Sequence, residues 1–336
     1  MKVSLIATER NEAGAIEEFL DSVLAQTTPP DEIVIADAAS NDGTTEIIQR
    51  YIDRAKPIVL LNVPGNRSVG RNAAIAAATH EVIAVADVGC RLAPDWLEQI
   101  TKPFRDQAAT AMVAGNFEAE PKSYFERIST DVMLAGNHTI DIKTWLPSSR
   151  SIAFTKTAWE KAGRYPEYRE FSQRLQLKCG GEDTLFDLAL KDAGYEFADG
   201  LAAVVYWRPR PDFTSFYLQY YWYAVGDGMD LTGLADHPLF YRLTLRYAGV
   251  VLAVVFGSVM ALGFGPWWGL VSLGALVWLS YGLLRRCYGA WKKHRTVQAA
   301  ALMMVLLAAF DVSQIFGYWY GFMHRPAKHL RRGGRA

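Results

Sequence analysis

Acidic residues run out toward the end of this chain. After Asp236 only Asp311 remains, and from Tyr247 to Leu284 no residue is charged. A charge-free run of that length argues against an ordinary solvated surface, since about 18 such residues already suffice to cross a bilayer. Cysteine is scarce too. Cys90, Cys179 and Cys287 lie far apart and form no Cys-x-x-Cys pair, which excludes a disulfide framework and leaves reduced thiols in a cytosolic setting. No Gly-x-Gly-x-x-Gly follows the first expected strand, where the residues run Thr8-Glu9-Arg10-Asn11-Glu12-Ala13-Gly14. That counts against a nicotinamide- or flavin-binding oxidoreductase, and without a glycine-rich opening loop against a sugar nucleotidyltransferase. The histidines, His138 and His237 among them, have no metal-ligand spacing and are expected to be structural. With 35 basic and 35 acidic residues the net charge is +0, so nucleic acid is not an expected partner. The apolar stretch at the N-terminus is too short for a signal-peptide core and is interrupted by Glu9. The first domain is therefore expected in the cytoplasm.

What is present alternates. Val3 to Ala7 reads as a strand. Ile16, Phe19, Leu20, Val23 and Leu24 then recur at helical spacing until Pro29-Pro30. Strands are expected at 33–36, 58–61 and 82–86, with helices over about 44–52 and 68–78. This order predicts an α/β domain with a mostly parallel, Rossmann-like sheet. Helical patches follow at 93–100, 155–162 and 183–193, with mixed patterning between them. The expected organisation is an α/β domain over 1–235, a membrane region over 240–323 and a basic tail over 324–336.

The stretch 247–284 has the length of a two-pass hairpin, with Gly263, Gly265 and Pro266 at its turn and Trp267-Trp268 suited to the interface. Arg285, Arg286, Lys292, Lys293 and Arg295 read as a basic loop, and a third apolar segment runs over 296–323. The positive-inside rule puts that loop in the cytoplasm, so the hairpin starts and ends there. The tail (Arg325, Lys328, Arg331, Arg332, Arg335) also favours the cytoplasm, which leaves open whether the third segment spans or re-enters. Asp311 needs a partner in such a segment. It either caps a packed helix interface or touches a phosphate-linked lipid acceptor through a cation.

Asp37 and Asp87 each stand at the end of an apolar, β-branched run, 50 residues apart. Each reads as a carboxylate delivered to the C-terminal edge of a parallel strand, where open α/β sheets bind ligands. Gly181-Glu182-Asp183 could bring more acids to the same cleft. Asp37 can accept a hydrogen bond from a base N–H or a ribose hydroxyl. Asp87 can face a diphosphate through a divalent cation, and Asp183 can serve as general base on a hydroxyl. Any one of these acids alone reads more readily as a helix cap or turn former.

In their order, however, the pieces resemble the family 2 glycosyltransferases of GT-A fold, from Val3 to about Gly228. They are the strand and polar turn Ile6 to Glu12, Asp31 to Asp37, Ser40-Asn41-Asp42-Gly43-Thr44, Gly70-Arg71-Asn72-Ala73-Ala74, Asp87 at the DxD position, and Gly181-Glu182-Asp183 at the catalytic Glu-Asp. The resemblance implies that Thr8, Glu9, Asp37 and Arg71 line the nucleotide pocket. It places Asp87 beside the diphosphate and a Mg or Mn ion, Glu182 among the residues that bind the nucleotide-sugar, and Asp183 as the catalytic base.

Two departures stand out. Gly89 replaces the second acid of the DxD, which puts metal binding by Asp87 in question. Gln219-Tyr220-Tyr221-Trp222-Tyr223 lacks the Arg-Trp of processive synthases, which favours single additions. Those aromatics suit either anchoring at the membrane surface or sugar stacking. Trp207-Arg208-Pro209-Arg210 suits a diphosphate, lipid headgroups or plain solvent. The expectation is an inverting glycosyltransferase of cell envelope glycan biosynthesis at the cytoplasmic (inner) membrane. It would move sugar from a nucleotide-diphosphate donor to a lipid-linked or glycan acceptor. The alternative is a non-catalytic nucleotide-sugar-binding scaffold of the same fold.

Overall fold

The computed structural model describes residues 1–54, 58–133, 140–167, 181–230 and 238–324. Expectations for Cys179, His138, His237 and the basic tail from Arg325 onward lie outside these residues. The chain divides into two compact units, Met1–Glu120 with His138–Arg208, and Pro121–Asn137 with Pro209–Ala336.

The first unit is built on one eight-stranded sheet. Its strands are β1 (Val3–Glu9), β2 (Glu32–Asp37), β3 (Ile58–Asn62), β4 (Val82–Val85), β5 (Cys90–Leu92), β6 (Met112–Ala119), β7 (Ile152–Thr155) and β8 (Phe197–Trp207), in the order β3-β2-β1-β4-β7-β6-β8-β5. Strands β3, β2, β1 and β4 are all parallel. Beyond β4 the sheet becomes mixed: β7 runs antiparallel to β4 and β6, β8 parallel to β6, and β5 antiparallel to β8. The helices of this unit are α1 (Ile16–Leu24), α2 (Thr44–Arg54), α3 (Arg67–Ala77), α4 (Trp96–Asp106), α6 (Lys156–Lys161) and α7 (Glu182–Asp192), with α5 (Tyr124–Met133) lying in the second unit.

Local chemistry explains these elements. All six residues of β2 are buried, as a strand covered on both faces requires. Helix α1 buries Ile16, Phe19, Leu20 and Val23, one helical stripe. Asn66 caps α3 by accepting from the Val69 N–H at 3.0 Å. Gly70 lets α3 lie close on the sheet, because a Cβ there would stand 3.1 Å from the Thr8 methyl. The core joins Ile6, Val34 and Val85 of the sheet to Trp159, Tyr165 and Phe186. Tyr165 and Phe186 stack at 4.0 Å.

The second unit is helical. It contains α5, α8 (Phe213–Asp230), α9 (Pro238–Phe264), α10 (Gly269–His294) and α11 (Val297–Met323). Along α9, α10 with the short 3-10 turn Pro266–Trp268 before it, and α11 lie three stretches long and apolar enough to cross a membrane: Phe240–Phe264, Pro266–Tyr288 and Val297–Met323. The expected basic loop is not a loop. Arg285 to His294 continue the second apolar helix, and only Arg295 and Thr296 separate it from the third. Charged side chains at a helix end can keep their stems along apolar surface and their heads in water, so the helix need not stop at them. The third segment is one unbroken helix of 27 residues. Asp311 in its middle is fully buried and has two protein partners. Arg286 of α10 donates to it at 2.6 and 2.7 Å, and the Tyr247 hydroxyl of α9 at 3.0 Å. Of the two roles open to Asp311, the structure shows the helix-interface one.

Helix α8 carries the aromatic run. Phe216 and Tyr220 face inward against Met303, Leu306 and Leu307 of α11. The two helices approach through glycines: a Cβ on Gly317 would stand 2.3 Å from the Tyr221 carbonyl oxygen, and one on Gly321 2.1 Å from that of Val225. Small residues permit such backbone contact in membrane helices. Gly317→Val is expected to cost about 1–3 kcal/mol of stability by overpacking, read as a lower unfolding midpoint in detergent. Gly274→Val, where nothing lies within 4 Å, is the neutral control.

Candidate active site

Two clusters form at the C-terminal edge of the parallel strands. In the first, β1 and β2 pair in register so that Glu9 stands opposite Asp37. Asp37 accepts from the Ser40 N–H at 3.0 Å and the Thr45 hydroxyl at 3.4 Å. Ser40 also donates its hydroxyl to Glu9 Oε2 at 3.0 Å. The turn that aims Ser40 back at Asp37 puts Ala39 at φ 59, a left-handed conformation costly for a residue with a Cβ. Burial, reinforced by Asp37, pushes the Glu9 carboxyl up to about 8. Burial also works against ionisation of Asp37, but hydrogen bonds from Glu9 and Ser40 outweigh it and hold Asp37 below the usual range.

The second cluster centres on Arg71 of α3, which is 2% exposed. Its Nη2 donates to Asp87 at 3.0 Å and its Nη1 to Glu182 at 2.9 Å. The Cζ lies 5.4 Å over the Tyr165 ring. Asp87 follows the end of β4, and Glu182 and Asp183 occupy the first turn of α7. Gly181, at φ 100, supplies the left-handed turn into that helix. The helix N-terminus favours anions, which suits both acids. Asp183 accepts from the Thr184 N–H at 3.1 Å and lies 3.5 Å from the Ser149 N–H. Burial opposes ionisation of Asp87, but Arg71, Arg150 and Arg67 together bring its carboxyl below the usual range.

The candidate site residues Thr8, Glu9, Asp37, Arg71, Asp87, Glu182 and Asp183 therefore lie in these two groups or next to them in the chain. Thr8 packs on Gly70 between the groups, next in the chain to Glu9, as Gly70 is to Arg71. The sequence reading missed the support beneath them. Asn72 accepts from the Trp159 indole N–H and the Tyr165 N–H, both at 3.0 Å, and donates to the Tyr165 carbonyl at 2.8 Å. It thereby fixes the ring under Arg71. Its place in Gly70-Arg71-Asn72 was the only signal. Asp187, one helical turn after Asp183, is fully buried, and neither carboxyl oxygen has a hydrogen-bond partner among the described residues. Burial and then Asp183 raise its pKa well above the ordinary value.

The donor set does not make a metal site of protein atoms alone. Asp87 is a single carboxylate with one oxygen on Arg71, and Gly89 has no side chain to offer. Among the described residues no group of three or more His, Cys, Asp or Glu could hold an ion. Cys90 is a buried free thiol whose pKa is pushed up to about 12 by burial and then Asp87, so it supplies no thiolate.

Comparison with known proteins agrees with this geometry. The family model "Glycosyl transferase family 2" matches residues 4–173, which include Thr8, Glu9, Asp37, Arg71 and Asp87 but stop before Glu182 and Asp183. A glycosyltransferase of Nostoc sp. is 36% identical over 31% of this chain. A putative teichuronic acid biosynthesis glycosyltransferase, TuaG of Bacillus subtilis, is 35% identical over 29% of it. The chain spans 33% and 39% of the length of those two relatives. The succinoglycan biosynthesis protein ExoA of Rhizobium meliloti is 26% identical over 92% of this chain and 91% of its own length. Among solved structures, the mannosyltransferase PcManGT of Pyrobaculum calidifontis, in complex with GDP-Man and Mn2+, superposes with a TM-score of 0.55. It is 18% identical and covers 93% of this chain and 86% of its own. That likeness gives the fold: an α/β sheet domain of GT-A type, followed by apolar helices.

Proposed function

The chain belongs to glycosyl transferase family 2, and from that premise we propose that it is a membrane-anchored, inverting glycosyltransferase. It takes a nucleotide-diphosphate sugar and delivers the sugar to a lipid-linked or glycan acceptor at the cytoplasmic face of the inner membrane, in cell envelope glycan synthesis. The observation that carries this reading is Arg71, which draws Asp87 and Glu182, the chain neighbour of Asp183, to within 3.0 Å of one guanidinium.

Thr8, Glu9 and Asp37 hold the base and ribose, and Asp87 marks the diphosphate. Asp183 takes the proton from the acceptor hydroxyl as its oxygen attacks the anomeric carbon. The bond from that carbon to the diphosphate oxygen breaks, the nucleoside diphosphate leaves, and the anomeric configuration inverts. Arg67 and Arg150, whose charges already act on Asp87, compensate the charge on the leaving diphosphate. The apolar helices hold the protein where a bilayer-borne acceptor is concentrated. Lys292, Lys293 and Arg295 set the orientation by the positive-inside rule.

The test is a panel of UDP-, GDP- and dTDP-sugars scored for protection against thermal unfolding, followed by transfer of labelled sugar to membrane extracts. Protection by none of them would overturn the reading. A divalent cation enters it only as a companion of the diphosphate, and no step is routed through one. Gly89→Asp, at a position with open space within 4 Å, is expected to add a second oxygen ligand and make donor binding more responsive to Mn2+ than in the parent, measured by titration with and without chelator.

A further inference from the structure

Glu9 and Asp37 are register partners on neighbouring strands, 5% and 4% exposed. Asp37 is well supplied by Ser40 and Thr45. Glu9 is not: as a carboxylate it has the Ser40 hydroxyl on Oε2, but its buried Oε1 finds no donor among the described residues. Two buried anions side by side would repel, and an unpartnered buried carboxylate oxygen is costly. One proton held between the two groups removes both difficulties.

We propose that Glu9 is a neutral positioning residue, whose proton holds Asp37 as the single oriented anion that accepts the base N–H of the donor. This rests on the donor-site reading above and goes beyond it, because it gives Glu9 a role through Asp37 and makes donor binding depend on one proton. The titratable groups that act on Glu9 are Asp37 of β2 and Asp42 of the loop after it. Both add to burial in raising its pKa to about 8, while the Ser40 hydroxyl opposes them. Above that value the pair gains a second negative charge. Asp37 then loses a donor, and the site repels an anionic nucleotide.

The experiment uses the full chain in detergent micelles, titrated with UDP, GDP and dTDP from about pH 6.5 to 9.5 at constant Mg2+. Above about pH 8 the wild-type affinity for the bound nucleotide is expected to fall by up to about tenfold per pH unit, as one linked proton requires. Glu9→Gln is expected to lose that limb. The base's own N–H titrates alike in both proteins, so the difference between them is the readout. A flat wild-type profile, or one that falls no more steeply than that of Glu9→Gln, overturns the proposal.

A ligand-free measurement guards against a variant that folds poorly. A carboxyl raised from 4.5 to about 8 contributes stability that is full below 4.5 and is lost as pH rises through about 8. The unfolding midpoint of Glu9→Gln relative to wild type is therefore expected to climb across that window. A constant difference overturns the proposal. If no nucleotide binds the wild type at neutral pH, the donor-site reading falls and this proposal falls with it.

Discussion

Asp183→Asn is expected to cut sugar transfer by about 10²–10⁴-fold, the contribution of a positioned general base. Asparagine keeps the shape and can still accept from the Thr184 N–H, but it cannot take a proton from the acceptor hydroxyl. Protection by the donor nucleotide should persist, because Asp183 makes no hydrogen bond or ion pair with Glu9, Asp37 or Arg71 among the described residues. The measurement is initial rate with labelled donor, alongside thermal protection by the same donor. Transfer within about twofold of wild type would remove Asp183 from the mechanism and assign the proton to another group, whereas no transfer by the wild type would return the protein to a binding role. Asp187→Asn is the companion control. It alters the buried neighbour one turn away without touching the proposed base.

Arg71→Met is expected to lower folding stability by about 3–5 kcal/mol, since it leaves Asp87 and Glu182 without their shared cation. The Asp87 side chain is 33% exposed and that of Glu182 10%, so water relieves part of the loss at Asp87 and less at Glu182. Arg71→Lys is expected to recover only part of it, because one ammonium cannot reproduce a planar fork that reaches two carboxylates at 2.9 and 3.0 Å. The pH dependence has a definite sign. Asp87 is held below its ordinary value of 3.8, so its contribution is present above that value and is lost as pH falls through the lowered one. The deficit of Arg71→Met should thus be largest near neutral pH and shrink in acid. Unfolding midpoints of the detergent-solubilised protein measured across pH check both statements. A uniform small deficit would mean that Arg71 is not the tie between the strand end and α7.

The parallel half of the sheet was readable from residues because each strand there is a continuous apolar run bounded by turn formers. Ile33–Ala36 and Val82–Ala86 are such runs, and both became buried strands. The mixed half was not readable. Strand β5 has three residues, β7 has four, and β8 carries Asp199 and Gly200 within its length. Runs so short or so interrupted are stabilised by their neighbours and leave little periodic signal of their own. The membrane hairpin was legible from the missing charge. The ends of its helices were not, because the basic residues that looked like a loop continue the helix through His294.

The order of the chemical groups along the chain was enough to bring Asp37, Asp87 and Asp183 under one hypothesis, since strand-end acids and a Gly-Glu-Asp turn are local patterns. Which acids come to sit against one another or on one cation was decided only by folding. Arg71 became the centre of its cluster because α3 crosses the sheet on Gly70 and points one guanidinium at two acids from distant segments. Glu9 became the buried neighbour of Asp37 because the β1–β2 register sets them side by side away from water. Asp311 was paired with Arg286 and Tyr247 in the same way. Local patterns survive in one dimension. Charge states and partnerships depend on distance and burial, which exist only once the chain has folded.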